Sequence, residues 1–413
     1  MKAKVRLNKY KSNSITISGS KNSSLPIIAA SLLCDDDVII HNVPNISDIN
    51  KLIKIIKKIG FDITFHNNTV RIKHKEIYKK KFYFQEIKQL RGSYYLIGTL
   101  IGKSNYCDFS FLYPGGCKFG YRPIDFHLKA FKKMGICNYS KGNKLFFKGY
   151  KTNCIHDLKY PSVGATINII LASCKMNKQT IITNASIEPE VIDVCNFLNS
   201  MGTEIVINKR TIVINGNNHL HSTEYTVMGD RIEAGTFLIL GAIHNGITIT
   251  NIKKDYLLDI INLLSSIGCC FEITDKYIKL YKINKILKPF DISLSPYPGI
   301  PTDLGPILSV LASQCEGLST INDLVYSDRT THIKELQKMN ITISNINNKI
   351  SIYGKSFIFN NKVISYDLRC CAALVLAASL SNKYSYIYNI QYLFRGYENI
   401  KQKLNNLGID FFY

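Results

Sequence analysis

Runs that are almost continuously apolar recur along this chain, separated by short segments in which apolar and polar residues alternate. The apolar runs Ser24–Leu33, Ala165–Cys174, Ala234–Ile243, Leu304–Ser313 and Leu368–Leu380 are hydrophobic on every side. That pattern predicts helices buried all round, not amphipathic surface helices. A short strand, a loop and a second helix follow each run. The second helices stop at Ile59-Gly60, Met134-Gly135, Met201-Gly202, Ile267-Gly268, Met339-Asn340 and Leu407-Gly408. Glycine, or asparagine as its tolerated substitute, belongs just past a helix because the closing residue there usually takes the left-handed conformation. Two alternating strands around a polar turn come next, as in Phe61–Lys73 around His66-Asn67-Asn68, Thr203–Asn215 around Asn208-Lys209 and Ile341–Tyr353 around Asn345–Asn348.

The stops from Gly60 to Gly408 recur about every 70 residues. Six units fall into two groups of three. The expected fold is therefore α/β, with two inside-out α/β barrel (prism) domains that hold helices inside and sheets outside. The final unit ends at Phe411-Phe412-Tyr413, one strand into its hairpin, and the chain opens on an alternating strand without a partner, Lys4-Val5-Arg6-Leu7. An open strand edge is a liability, so the N-terminal strands are expected to complete the sixth unit. The domains expected are then 21–228, and 1–20 together with 229–413.

Composition narrows the picture. At 413 residues the chain is too long for one ordinary core, and 46% hydrophobic with 20% charged residues is globular composition. The longest apolar run, Leu25–Leu33, is too short to span a bilayer. The N-terminus has no apolar signal segment. A cytoplasmic protein with no membrane partner is expected. Lys+Arg 52 against Asp+Glu 30 gives a net charge of +22, which would suit a nucleic-acid partner. The lysines are scattered, however, and no basic tract interleaves with aromatic residues. Lys, Ile and Asn are all abundant, as AT-rich codons would make them. We read the surplus as drift together with an anionic small substrate, and expect no nucleic-acid partner. Twelve cysteines form no C-x-x-C, and Cys269–Cys270 and Cys370–Cys371 are too close in sequence to chelate one ion well. Reduced core thiols and no metal are expected.

Four segments place glycine, proline and charge at helix starts. Ser18-Gly19-Ser20-Lys21-Asn22 sets a Lys and an Asn beside helix-end N–H groups, a receptor for an anion as well as an ordinary cap. Tyr113–Pro123 is a long glycine-rich loop able to act as a lid. In it Cys117 is followed by Lys118 and nearby Arg122, cations that favour a thiolate where they converge. Arg91, after Leu90, is a further candidate anion ligand. Ser295–Asp303 is stiffened by three prolines and delivers Asp303 near a helix start, where a carboxylate serves as cap or as general base. Asp367-Leu368-Arg369 and Arg395-Gly396-Tyr397-Glu398 bring two more arginines to corresponding repeat loops.

Taken in order, SGSKNSSLP (18–26), NVP (42–44), PGGCKFGYRPIDFH (114–127), PSVGAT (161–166), EPEVID (188–193), DRIEAGTF (230–237), PYPGIPTD (296–303), DLR (367–369) and RGYE (395–398) resemble the enolpyruvyl transferase family over essentially the whole chain. The PGGC loop and PSVGAT resemble the branch acting on UDP-N-acetylglucosamine, not the one acting on shikimate 3-phosphate. A nucleic-acid-binding or RNA-end-modifying protein on a related fold is the reading from another class. The resemblance implies transfer of the enolpyruvyl group of phosphoenolpyruvate to the sugar 3′-hydroxyl, in a bacterial cytoplasm, by a monomer or weak oligomer without cofactor or metal. It implies catalytic roles for Cys117, Asp303, Lys21 and Arg395. It implies a phosphoenolpyruvate site of Lys21, Asn22, Arg91, Arg122 and Arg395. The UDP-sugar site it implies is Asn22, Arg91, Arg122, Pro161, Ser162, Val163, Gly164, Asp303 and Val325, with Asp367 and Arg369 in support. Gly305 after Leu304, Ser327 and Ser47 depart from the family pattern at positions bearing on nucleotide contacts.

Overall fold

The computed structural model describes residues 1–413 except 77, 117–123 and 283–285. The described residues divide into two compact units, 19–228 and 1–18 with 229–413. They form six four-stranded sheets on one plan, without closing into a barrel. In the third repeat, Ile155–Asp157 runs parallel to Thr180–Thr183; Thr211–Asn215 is antiparallel to that strand, and Glu204–Asn208 forms the far edge. The repeat is thus strand, buried helix, strand, second helix, hairpin. The leading parallel strand of each repeat is only two to four residues long, as in Lys81–Phe82, Ser14–Thr16 and Ile155–Asp157. A strand that short has too few residues to display an alternation.

The N-terminal strands do not both serve the sixth repeat. Lys2–Leu7 lies between Ser385–Tyr388 and Ile409–Phe412. Ser14–Thr16 instead pairs in parallel with Ile247–Thr250 of the fourth repeat. The parallel edge of the sixth sheet is already taken by Lys362–Ile364, whereas the fourth repeat has no strand of its own ahead of its helix. The first repeat is completed in the same manner by Thr223–Thr226, which runs parallel to Val38–His41.

Three buried helices fill each unit: Lys21–Ser31, Tyr95–Lys103 and Val163–Ser173 in one, Arg231–His244, Gly305–Ala312 and Leu368–Ala378 in the other. Each set packs into its own continuous apolar core. Several helices start a turn earlier than their apolar runs, since side-chain caps and not hydrophobicity fix the first turn. Tyr95–Lys103 is the helix that the apolar pattern missed, because Gly98 and Gly102 interrupt it. A Cβ at Gly98 would sit 2.4 Å from Asn168 Oδ1, and one at Gly102 2.3 Å from the Leu171 carbonyl. The glycines let this helix press directly on Val163–Ser173.

All six helix stops are left-handed, with φ of 128° at Gly60, 84° at Gly135, 101° at Gly202, 110° at Gly268, 69° at Asn340 and 76° at Gly408. A second recurring device escaped the sequence reading. Asn42, Asn184, Asn251 and Asn389 each end the strand after a buried helix, with φ between 50° and 62°. Their side-chain amides donate to the carbonyls of Val227, Leu158, Ile17 and Ser365 at 2.7–3.1 Å. Each amide ties the strand's exit to the end of the neighbouring parallel strand, fixing the loop into the second helix. The recurring signal was a β-rich tetrad closed by Asn: IIHN, IITN, TITN, YIYN.

Candidate functional site

In the 19–228 unit the candidate residues sit at helix starts. Ser20 caps Lys21–Ser31, its Oγ accepting the Ser23 N–H at 3.2 Å. Lys21 opens that helix, and its Nζ lies 3.1 Å from Oδ2 of Asp48, whose side chain is 2% exposed at the start of Ser47–Ile59. A buried carboxylate needs a partner, and here the partner is the candidate cation itself. Asn22 follows, half-buried. Ser162 caps Val163–Ser173 by accepting the Ala165 N–H at 3.4 Å. Pro161, Ser162 and Val163 are half-buried at that start.

Gly164 is tightly enclosed: a Cβ there would lie 2.8 Å from His127 and 2.9 Å from the Tyr94 hydroxyl. The Arg91 guanidinium faces the Tyr94 ring at 5.7 Å, and Tyr94 meets His127 edge-on at 4.8 Å. The structure therefore links Arg91 to the Pro161–Gly164 turn through Tyr94 and His127. Burial, reinforced by Arg91, pushes His127 down to about 3. The neutral ring accepts the Asn168 amide at Nδ1, 2.8 Å away, while Asn168 Oδ1 accepts the Gly98 N–H at 2.9 Å. Asp48, His127 and Asn168 are supporting residues that motif reading passed over. Cys117 and Arg122 lie outside the described residues.

In the other unit, Asp303 is held by two guanidinium groups. Arg329 Nη1 donates to Oδ1 at 2.6 Å and Arg369 Nη2 to Oδ2 at 2.8 Å. The arginine side chains are 3% and 7% exposed, while Asp303 keeps 27%. Burial pushes this carboxyl up, but Arg369 and Arg329 outweigh it and hold Asp303 well below the usual carboxylate range. It is ionised at neutral pH, and it can accept a proton readily only if the guanidinium groups loosen. Arg329 lies in none of the motifs that carry the family resemblance. Its nearest clue was a charged pair, Asp328-Arg329, in an otherwise neutral segment.

The loop that carries Arg329 is pinned beside Asp303. Asp323 accepts the N–H groups of Val325 and Tyr326 at 2.9 and 2.8 Å and also the Thr302 hydroxyl. Val325 is thereby placed near Asp303, and Ser327 is exposed. Asp367 caps Leu368–Ala378, accepting the N–H groups of Arg369 and Cys370 at 2.8 and 3.0 Å, and accepts from Thr331 as well. Arg395, half-buried, ends the turn Ile390–Arg395 two residues before buried Tyr397. A side chain at Gly305 would meet only a methyl of Leu294, at 2.7 Å. Asp303, Val325, Asp367, Arg369 and Arg395 thus belong to one unit, and Lys21, Asn22, Arg91 and Pro161–Gly164 to the other. No helix among the described residues is long and apolar enough to cross a membrane.

Comparison with known proteins shows the family. Residues 5–404 match the EPSP synthase (3-phosphoshikimate 1-carboxyvinyltransferase) family. The chain is 39% identical over 404 residues to UDP-N-acetylglucosamine 1-carboxyvinyltransferase 2 of Streptococcus pyogenes, covering 97% of this chain and 96% of that one. It is 37% identical over 405 residues to UDP-N-acetylglucosamine 1-carboxyvinyltransferase of Halothermothrix orenii, covering 96% and 95%. Its fold matches the enolpyruvyl transferase NikO from Streptomyces tendae with a TM-score of 0.89 at 21% identity, over 100% of this chain and 98% of that one. It also matches an EPSP synthase from Acinetobacter baumannii with a TM-score of 0.77 at 17% identity, over the whole of both. The chain belongs to the EPSP synthase family of enolpyruvyl transferases.

Proposed function

We propose that this enolpyruvyl transferase moves the enolpyruvyl group of phosphoenolpyruvate to the 3′-hydroxyl of UDP-N-acetylglucosamine and releases phosphate, the first committed step of peptidoglycan precursor synthesis. The observation that carries this reading is the full-length likeness to transferases named for that substrate. The reaction proceeds by addition and elimination. The methylene carbon of phosphoenolpyruvate gains a proton, the sugar oxygen bonds to the central carbon, and the hydroxyl proton leaves to a base. Loss of a methyl proton and of phosphate from the resulting ketal restores the double bond.

Each residue type has work in that scheme. Lys21, Arg91, Arg122 and Arg395 are the cations that bind phosphate and carboxylate, with Asn22 beside Lys21, and their positive charge favours the anionic transition state. Ser162, Val163 and Gly164, with Pro161 before them, and Val325 receive the nucleotide sugar. Asp303 is the ionised base for the 3′-hydroxyl, and Arg369, with Asp367 capping its helix, restrains it. Cys117 acts in proton delivery and product release.

Purified protein given phosphoenolpyruvate and UDP-N-acetylglucosamine should release phosphate only when both are present. Silence at high enzyme concentration would sink the proposal. Because the matching family is described by its shikimate member, shikimate 3-phosphate is the informative rival acceptor. Turnover with it alone would replace this reading by the related one.

A further inference from the structure

Behind Asp303 runs a hydrogen-bond chain to which the motifs assign no role. Arg369 Nη1 donates to the Tyr397 hydroxyl at 3.3 Å, and the guanidinium stands 5.7 Å from the Tyr397 ring centre. The same hydroxyl lies 2.9 Å from Thr236 Oγ1. Thr236 also lies 2.7 Å from the Ile232 carbonyl, one turn back in the Arg231–His244 helix. Proton counting fixes the direction. Threonine has one hydroxyl proton, and a carbonyl can only accept, so that proton goes to Ile232. Across the 2.9 Å contact Tyr397 must then be the donor, which leaves its oxygen free to accept from Arg369.

The chain thus runs from Arg369 to Tyr397 to Thr236 to a helix carbonyl, every member polarised the same way. Tyr397 is 2% exposed and Thr236 is buried, so water does not compete. Burial raises the Tyr397 pKa, with Arg369 opposing, so its proton stays in place at neutral pH. Arg369 has two faces here: one Nη is fixed on tyrosine, and the other points at Asp303 at 2.8 Å. The first contact fixes the geometry of the second. The charged groups around this pair are Arg329 on the far oxygen of Asp303, Asp230 and Asp367 at neighbouring helix starts, and His332, which burial keeps neutral.

We propose that Tyr397, oriented by Thr236, is a positioning residue that fixes Arg369 against Asp303 and so sets how readily Asp303 takes up a proton. Its consequence for catalysis rests on the transferase reading; its geometry does not.

The test compares Tyr397→Phe, Thr236→Val and Thr236→Ser with the wild type by the pH dependence of kcat/KM and by 13C NMR titration of aspartate carboxyls, with Asp303→Asn identifying the Asp303 signal. In Tyr397→Phe the Asp303 titration and the acid limb of the profile should rise by about one pH unit, with kcat down roughly tenfold and KM for the nucleotide sugar within about twofold. Thr236→Val should shift both in the same direction by less, and Thr236→Ser should restore the wild-type profile. Should Tyr397→Phe not fold, Thr236→Val carries the test. Loss of thermal stability with an unmoved Asp303 titration would reduce Tyr397 to a packing residue and overturn the proposal. If the wild type itself releases no phosphate, the function reading fails, while the NMR titration still decides the positioning role.

Discussion

The two units begin their buried helices with different chemistry. In the 19–228 unit the helices opening at Lys21 and Val163 are capped by the hydroxyls of Ser20 and Ser162. In the other unit the helices opening at Arg231 and Leu368 are capped by the carboxylates of Asp230 and Asp367, each accepting two backbone N–H groups. Both choices satisfy the helix end, but only the carboxylate cancels the positive end of its dipole. The serine-capped starts keep a field available to an incoming anion. The aspartate-capped starts do not, so the cationic character of their unit rests on arginines. One repeat therefore serves two electrostatic purposes through the choice of a single capping residue.

Three experiments would break or sharpen that contrast. The largest effect belongs to Asp303→Asn, which leaves Arg329 and Arg369 buried without their carboxylate. Stability should fall by about 3–5 kcal/mol in chemical denaturation, and phosphate release by roughly 10²–10⁴-fold. A variant with wild-type stability would mean the arginines have other compensation.

Acid should separate the two units next. His127 is pushed down to about 3, and His156 and His332 to about 4, by burial first; Arg91 and Lys133 add to it at His127 and His156, while at His332 Asp367 opposes it more than Arg329 adds. Unfolded histidine titrates near 6.5, so between pH 6.5 and 5 the unfolded chain binds protons that the folded chain refuses. Stability is therefore complete above about 6.5 and declines as pH falls. The slope approaches about 1.4 kcal/mol per pH unit for each histidine. The 19–228 unit holds two of the three, so hydrogen exchange at pH 5 should show its core losing more protection than the other. Equal losses would contradict the assignment.

The smallest effect tests the caps directly. Ser162→Asp keeps a good cap but adds a negative charge, so calorimetry should show UDP-N-acetylglucosamine binding about tenfold weaker, with melting unchanged or slightly raised. Undiminished binding would remove the electrostatic meaning of the serine caps.

Much of this was legible in advance, and the exceptions share a cause. The helix stops could be read because a left-handed closing residue is a local requirement that only glycine or asparagine meets cheaply. The helix Tyr95–Lys103 was hidden because its two glycines answer to a partner helix some 70 positions away. Asp303 was visible in a proline-stiffened motif. Its two arginines come from a loop and from the first turn of a helix, 26 and 66 residues on, and no local pattern announces that both meet one carboxylate. The Tyr397–Thr236 chain, spanning 161 positions, is invisible to motif reading for the same reason.

The strand Lys2–Leu7 carries a consequence for the order of events during synthesis. Its Arg6 pairs with Asp410, 404 positions later. At about 5–20 residues per second, a ribosome takes roughly 20–80 s to reach that partner. The 19–228 unit can fold as soon as Thr223–Thr226 emerges. Lys2–Leu7 must wait for Ser385–Tyr388 and Ile409–Phe412, its edges open to other chains throughout. Three basic residues on that strand, Lys2, Lys4 and Arg6, discourage such pairing in the interval. In the folded protein the same three cations rest against the rings of Tyr384, Tyr386 and Tyr388, so the charges that guard the nascent strand later help to seat it.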